Sequence, residues 1–132
     1  MQLERFVKSY RTLAVTTASP GQLILMLFDG ALRFLTEAQD GFDDPDFVKR
    51  NERIHNNLVK AQNVLKELQG SLNMEVGEFS ERMYALYNFM MAQLRLANLK
   101  KDPEPLRVVI GMLNGIRDAW AQMLEQTSSQ VA

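Results

Sequence analysis

The chain has no cysteine, one histidine and one tryptophan, and its four prolines fall at 20, 45, 103 and 105 of 132 residues. Without a thiol it can build no disulfide framework, no Cys-based zinc site and no thiolate nucleophile, a composition that fits a reducing compartment. A lone His55 leaves no second imidazole for a histidine-rich metal set, and no paired acid and base can be nominated for a serine or aspartate nucleophile. An excess of one charge sign is missing too. With 15 basic and 16 acidic side chains and a net charge of -1, the chain offers a polyanion no electrostatic footprint, so no nucleic-acid partner is expected. No Gly-rich phosphate loop is present. The unbroken apolar run Leu23 to Phe28 is six residues long, against the ~20 that a membrane-spanning helix needs. The start Met1-Gln2-Leu3-Glu4-Arg5-Phe6 lacks the apolar stretch of a secretory leader. These absences predict a cytoplasmic protein with no membrane insertion and no enzymatic activity.

What is there is period. A length of 132 residues suits one domain that buries its core without metal or disulfide. Four segments repeat apolar residues at steps of three and four, and no alternating strand pattern competes. Ser19 can accept a hydrogen bond from a free first-turn N–H, and Pro20 supplies a preset φ where no N–H is needed, so the first helix is expected from Ser19 to Asp40. Gly41 is expected to end it in a left-handed conformation. After Asp43-Asp44-Pro45, the second helix keeps a seven-residue spacing through Phe47, Asn51, Ile54, Leu58, Ala61, Leu65 and Leu68 until Gly70. A loop over Ser71 to Gly77 follows, with Phe79 expected to re-enter the core. The third helix then runs through Met83, Leu86, Met90, Leu94 and Ala97 to the break at Asp102-Pro103-Glu104-Pro105. The fourth buries Leu106, Val109 or Ile110, Leu113, Ile116, Trp120 and Met123 or Leu124. The expected fold is an all-α antiparallel four-helix bundle over 19–126, with a short N-terminal arm or helix over 1–18 and a frayed tail over 127–132.

Glu52-Arg53-Ile54-His55 has the Glu-x-x-His spacing of di-iron bundles, but such a site needs a second copy from another helix. A ferritin-like metal-binding bundle is therefore disfavoured, and neither metal nor cofactor is expected. More informative is a surplus of apolar residues outside the seams: Val59, Tyr84, Tyr87, Met91, Val108, Met112 and Ala119. Apolar residues on a second face mean either extra core or a groove for an amphipathic partner helix, to which methionine adapts well. Gly30, Gly111 and Gly115 interrupt helix patterns at a cost of ~1 kcal/mol each against alanine. Gly111-x-x-x-Gly115 leaves a smooth strip suited to close approach of a helix, within the bundle or from a client.

Thr17-Ala18-Ser19-Pro20-Gly21-Gln22-Leu23, followed by Leu25-Met26-Leu27-Phe28-Asp29-Gly30-Ala31, resembles the opening signature of the flagellar export chaperone family FliS. Three further blocks resemble the family in order: Lys60 to Leu68 in the second helix, Ala97-Asn98 before Lys101-Asp102, and Arg117-Asp118-Ala119-Trp120 in the fourth. The resemblance implies a cytoplasmic helical bundle without cofactor. It implies binding of the C-terminal segment of flagellin, prevention of premature polymerisation, and delivery to a flagellar export gate component. It also implies that the arm, through Tyr10, covers part of the groove when no client is bound. The expected groove residues are Ile54, Leu58, Ala61 and Leu65 from the second helix and Val108, Met112 and Ala119 from the fourth, although Ile54, Leu58 and Leu65 equally suit pure core. A client-free monomer or weak homodimer is expected. The alternative function is a helical adaptor or regulatory binding protein with another client.

Overall fold

A computed structural model describes residues 19–131, with side chains through Thr127. The first helix, α1 (Pro20–Gly41), starts as its sequence dictates: Ser19 is extended, its hydroxyl accepts from the Gln22 N–H at 3.2 Å, and Pro20 occupies the first turn. Its other end departs from expectation. Gly41 has no positive φ; it is buried, and a Cβ placed on it would stand 3.1 Å from the Arg53 Cβ. Glycine relieves a tight approach of the second helix there, and does not serve a left-handed turn of the backbone. Asp44 accepts from the Asp46 N–H at 3.0 Å, and Asp46 caps α2 (Phe47–Gly70) by accepting from the Lys49 N–H at 3.1 Å.

A single 3₁₀ turn, Met74–Val76, leads to Gly77, whose φ of 89° and ψ of -129° suit only glycine. In α3 (Glu78–Lys100) the residue that enters the interior first is Ser80, whose hydroxyl donates to the Asn73 carbonyl at 2.6 Å. Phe79 is 60 % exposed, contrary to expectation, because helical spacing turns it away once Ser80 points inward. Phe47 also lies outside, at the first position of α2, where the Arg50 guanidinium sits 5.3 Å above its ring. Lys101 ends α3 in the left-handed region, and its ammonium donates to the carbonyl and side-chain oxygen of Asn98. Asp102 then accepts from the Glu104 N–H at 3.0 Å as α4 (Pro103–Val131) begins. Helix α4 continues to Val131, past Gln126 where a tail was expected.

The four helices close a ring in which α1 packs on α2 and α4, and α3 packs on α2 and α4. Short connections make each sequential pair antiparallel, giving the expected all-α bundle. Its axis is filled by Phe28 and Leu35 of α1, Leu58 and Leu65 of α2, Met90 and Leu94 of α3, and Leu106 and Leu113 of α4, all at most 2 % exposed. Tyr87 and Met91, expected outside the seams, belong to this core. No buried side-chain N or O atom lacks a hydrogen bond among the described residues.

Candidate functional site

His55, the chain's one imidazole, is exposed on α2, with its Nδ1 2.9 Å from Asn98 Nδ2. Among the described residues no group of three His, Cys, Asp or Glu side chains is placed to hold a metal ion. The interactions that do cross between helices are structural. The Trp120 indole donates to the Gly21 carbonyl at 2.9 Å, and Leu124 fills the space where a Gly21 side chain would stand. Arg117 reaches Asp29 at 2.8 Å and Asp118 at 3.3 Å; these hydrogen bonds, Asp29 first, push its pKa up. Burial lowers the Lys101 pKa and pushes the Tyr87 phenol up to about 12.

Of the expected groove residues, Ile54, Leu58, Ala61 and Leu65 are at most 1 % exposed and sit in the hydrophobic core. Heptad spacing on a bundle helix marks the face turned to its neighbours, so these four form the interior and not the wall of an open groove. Val108 is 46 % exposed, Met112 half-buried and Ala119 exposed. Tyr10 lies outside the described residues.

The place of these α4 side chains follows from the helical period of 3.6 residues. Arg117, Trp120 and Leu124 mark the edge of α4 toward α1, while Leu106, Val109 and Leu113 point to the axis. Val108, Met112, Ala119 and Met123 project from the opposite edge, toward the outer side of α3. On α3 the edge toward α2 is fixed by Gln69, which donates to the Tyr84 carbonyl at 3.1 Å and to Asn88 Oδ1 at 2.9 Å. Leu86, Phe89, Gln93 and Leu96 therefore occupy its other edge, beside α4. Phe89 is 45 % and Met123 42 % exposed, and Leu86 and Leu96 are half-buried. Together they make an apolar furrow along the outside of the α3–α4 pair. Phe89 and Leu96 were missed in the sequence because attention to the core stripe Met83, Met90, Leu94 and Ala97 hides the second stripe on the same helix.

Gly111 and Gly115 border this furrow, and nothing stands within 4 Å of a Cβ built on either. Among the described residues no helix uses the smooth strip. Surface apolar residues gathered along one furrow, rimmed by polar groups, mark a protein-binding site. Fold and furrow together define an all-α bundle with an apolar surface that none of the described residues covers.

Comparison with known proteins places that class more narrowly. Residues 4–127 match the family described as Flagellar protein FliS. The chain is 38 % identical over 125 residues to the flagellar secretion chaperone FliS of Bacillus subtilis, covering 95 % of this chain and 90 % of the relative. It is also 38 % identical over 119 residues to the protein of that name in Salmonella typhimurium, covering 89 % and 85 %. For the Vibrio cholerae protein of that name the figures are 30 % over 122 residues, covering 89 % and 87 %. The chain belongs to the FliS family of flagellar secretion chaperones. No helix among the described residues is long and apolar enough to cross a membrane.

Proposed function

We propose that this protein is a cytoplasmic export chaperone that holds the C-terminal segment of flagellin along the outer α3–α4 furrow. It thereby prevents premature polymerisation and carries the segment to a component of the flagellar export gate. The observation that carries this reading is the furrow itself, with Phe89, Val108, Met112 and Met123 partly exposed on a chain of this family. An unfolded client segment that becomes helical on binding buries apolar side chains there, and methionine side chains adapt to its irregular surface. The furrow residues from α4 are Val108, Met112 and Ala119, and Tyr10 of the arm covers the furrow until the client arrives. Burial of the client's apolar face replaces the contacts it would make in a filament.

Calorimetric titration with the C-terminal peptide of flagellin from the same organism tests the reading. One-to-one binding with a large negative heat-capacity change is expected. Met112→Lys, on the furrow wall, should keep the helical circular-dichroism spectrum and weaken binding by roughly tenfold or more, since it puts a charge into a desolvated contact. Unchanged affinity would remove α4 from the site. No binding by the unsubstituted chain would remove flagellin as the client and leave an adaptor for another protein.

A further inference from the structure

Methionine supplies all the sulfur of this chain. With eight methionines and no cysteine, any oxidation at sulfur must take place at a thioether. Exposure grades the candidates. Met90 is 0 % and Met91 7 % exposed in the core, Met83 and Met112 are half-buried, and Met74 and Met123 stand out at 48 % and 42 %. Met74 sits on the 3₁₀ turn between α2 and α3 and is not a furrow residue. Met123 is one. Eleven residues separate it from Met112, close to three helical turns, so both lie on one face of α4 about 16 Å apart. The α4 wall of the furrow therefore carries two thioethers, one of them open to solvent.

We propose that Met123 is an oxidation site whose sulfoxide weakens the furrow's hold on its client, with Met112 following more slowly; the effect on the client rests on the furrow being the client site. A peroxide transfers one oxygen atom to the Met123 thioether. The sulfur gives up two electrons, the O–O bond breaks, and the peroxide leaves as water or an alcohol. A thiol-dependent methionine sulfoxide reductase reverses the step, with two thiols giving up two electrons to form a disulfide and the oxygen leaving as water. The sulfoxide puts a strong hydrogen-bond acceptor where a flexible apolar chain had been. In the free protein water satisfies that acceptor, so the bundle is spared. Under an apolar client segment it has no donor. Thr127, the first hydroxyl residue after it in α4, already donates to the Met123 carbonyl at 2.9 Å. An acceptor buried without a partner lowers affinity by roughly tenfold. The penalty thus falls on the complex and leaves the fold alone.

Timed treatment of the full chain with hydrogen peroxide, followed by peptide mapping in a mass spectrometer, tests the site itself. Each sulfoxide adds about 16 Da. Met74 and Met123 should gain it first, Met112 later and Met90 last; a Met123 that oxidises no faster than Met90 overturns the proposal. The helical circular-dichroism spectrum should be unchanged, while affinity for the flagellin C-terminal peptide falls roughly tenfold and returns after sulfoxide reductase with dithiothreitol. Fluorescence of the apolar dye anilinonaphthalene sulfonate reads the furrow without any client and should fall as well. Variants assign the effect. Met74→Leu should keep the full loss on oxidation, whereas in Met123→Leu the affinity ratio before and after treatment should shrink to roughly twofold. An equal loss in Met123→Leu, or no loss once Met123 is fully oxidised, overturns the proposal. If the flagellin peptide does not bind the untreated chain, the client reading fails by itself, and the mapping and the dye still decide for or against the oxidation site.

Discussion

Replacing Leu58 by alanine separates core from groove on α2. Leu58 is fully buried, in a cluster with Phe28, Leu35, Leu94 and Leu113. Truncating a buried leucine costs about 2–5 kcal/mol, the sum of lost transfer energy and the cavity left behind. Taking about 3 kcal/mol, and an unfolding entropy of about 2.1 cal/mol/K per residue over a chain of this length, the melting temperature should fall by about 11 °C. The fall should appear in the absence of any client. Binding of the flagellin segment, measured well below the melting temperature, should stay within roughly threefold of the unsubstituted chain, because Leu58 has no surface to offer a partner. Thermal denaturation followed at 222 nm, with calorimetric titration at 15 °C, reads both quantities. A Leu58→Ala chain that melts within 3 °C of the original yet loses client binding would refute the reasoning and return Ile54, Leu58, Ala61 and Leu65 to a groove.

Two further tests address the α2–α3 connection and the core tyrosine. Gly77→Ala should destabilise the fold by about 1–3 kcal/mol in urea, because φ of 89° with ψ of -129° is open to glycine alone while space for the methyl is free; an unchanged midpoint would mean that the turn can rebuild. For Tyr87 the folded pKa of about 12 lies above the usual value of 10.0, so the phenol's contribution is complete below pH 10 and is lost as pH rises through 12. Between pH 9 and 11.5 the original chain should lose about 2 kcal/mol more stability than Tyr87→Phe, and equal losses in the two chains would place the ring in a wetter site.

The helices were legible because their boundaries rest on local chemistry. Ser19-Pro20 and the aspartates before α2 and α4 act within four residues of themselves, so no knowledge of the fold is needed to see them. Apolar residues at helix ends were harder. Phe47 and Phe79 share the composition of core residues, and only the direction of the first turn decides that they face outward. Tyr87 and Met91 were misplaced for a related reason. Two helices and the 3₁₀ turn before it press on α3, so its buried arc is wider than one heptad stripe, whereas sequence spacing alone suggests a narrow one. Gly41 and the pair Gly111 and Gly115 show the same limit, since a glycine's role depends on how near the neighbouring helix runs. At Gly41 the neighbour is in contact, and at 111 and 115 none is present among the described residues. The α4 half of the furrow could be read from its surplus apolar residues. The α3 half, Phe89 and Leu96, could not, because it shares a helix with the core stripe Met83, Met90, Leu94 and Ala97.

Those two open glycines set the local mechanics of α4. Alanine would fit at both without touching a neighbour, and each glycine lowers helix stability by about 1 kcal/mol against it. The middle of α4 thus stands about 2 kcal/mol below what this backbone could hold, all of it on the exposed face turned away from the core. Its amide hydrogens should exchange with solvent more readily than those of α3, the other wall, which has no interior glycine. One wall of the furrow is therefore the more compliant and the other the stiffer, so a client helix docked there as proposed would meet one side that yields and one that does not.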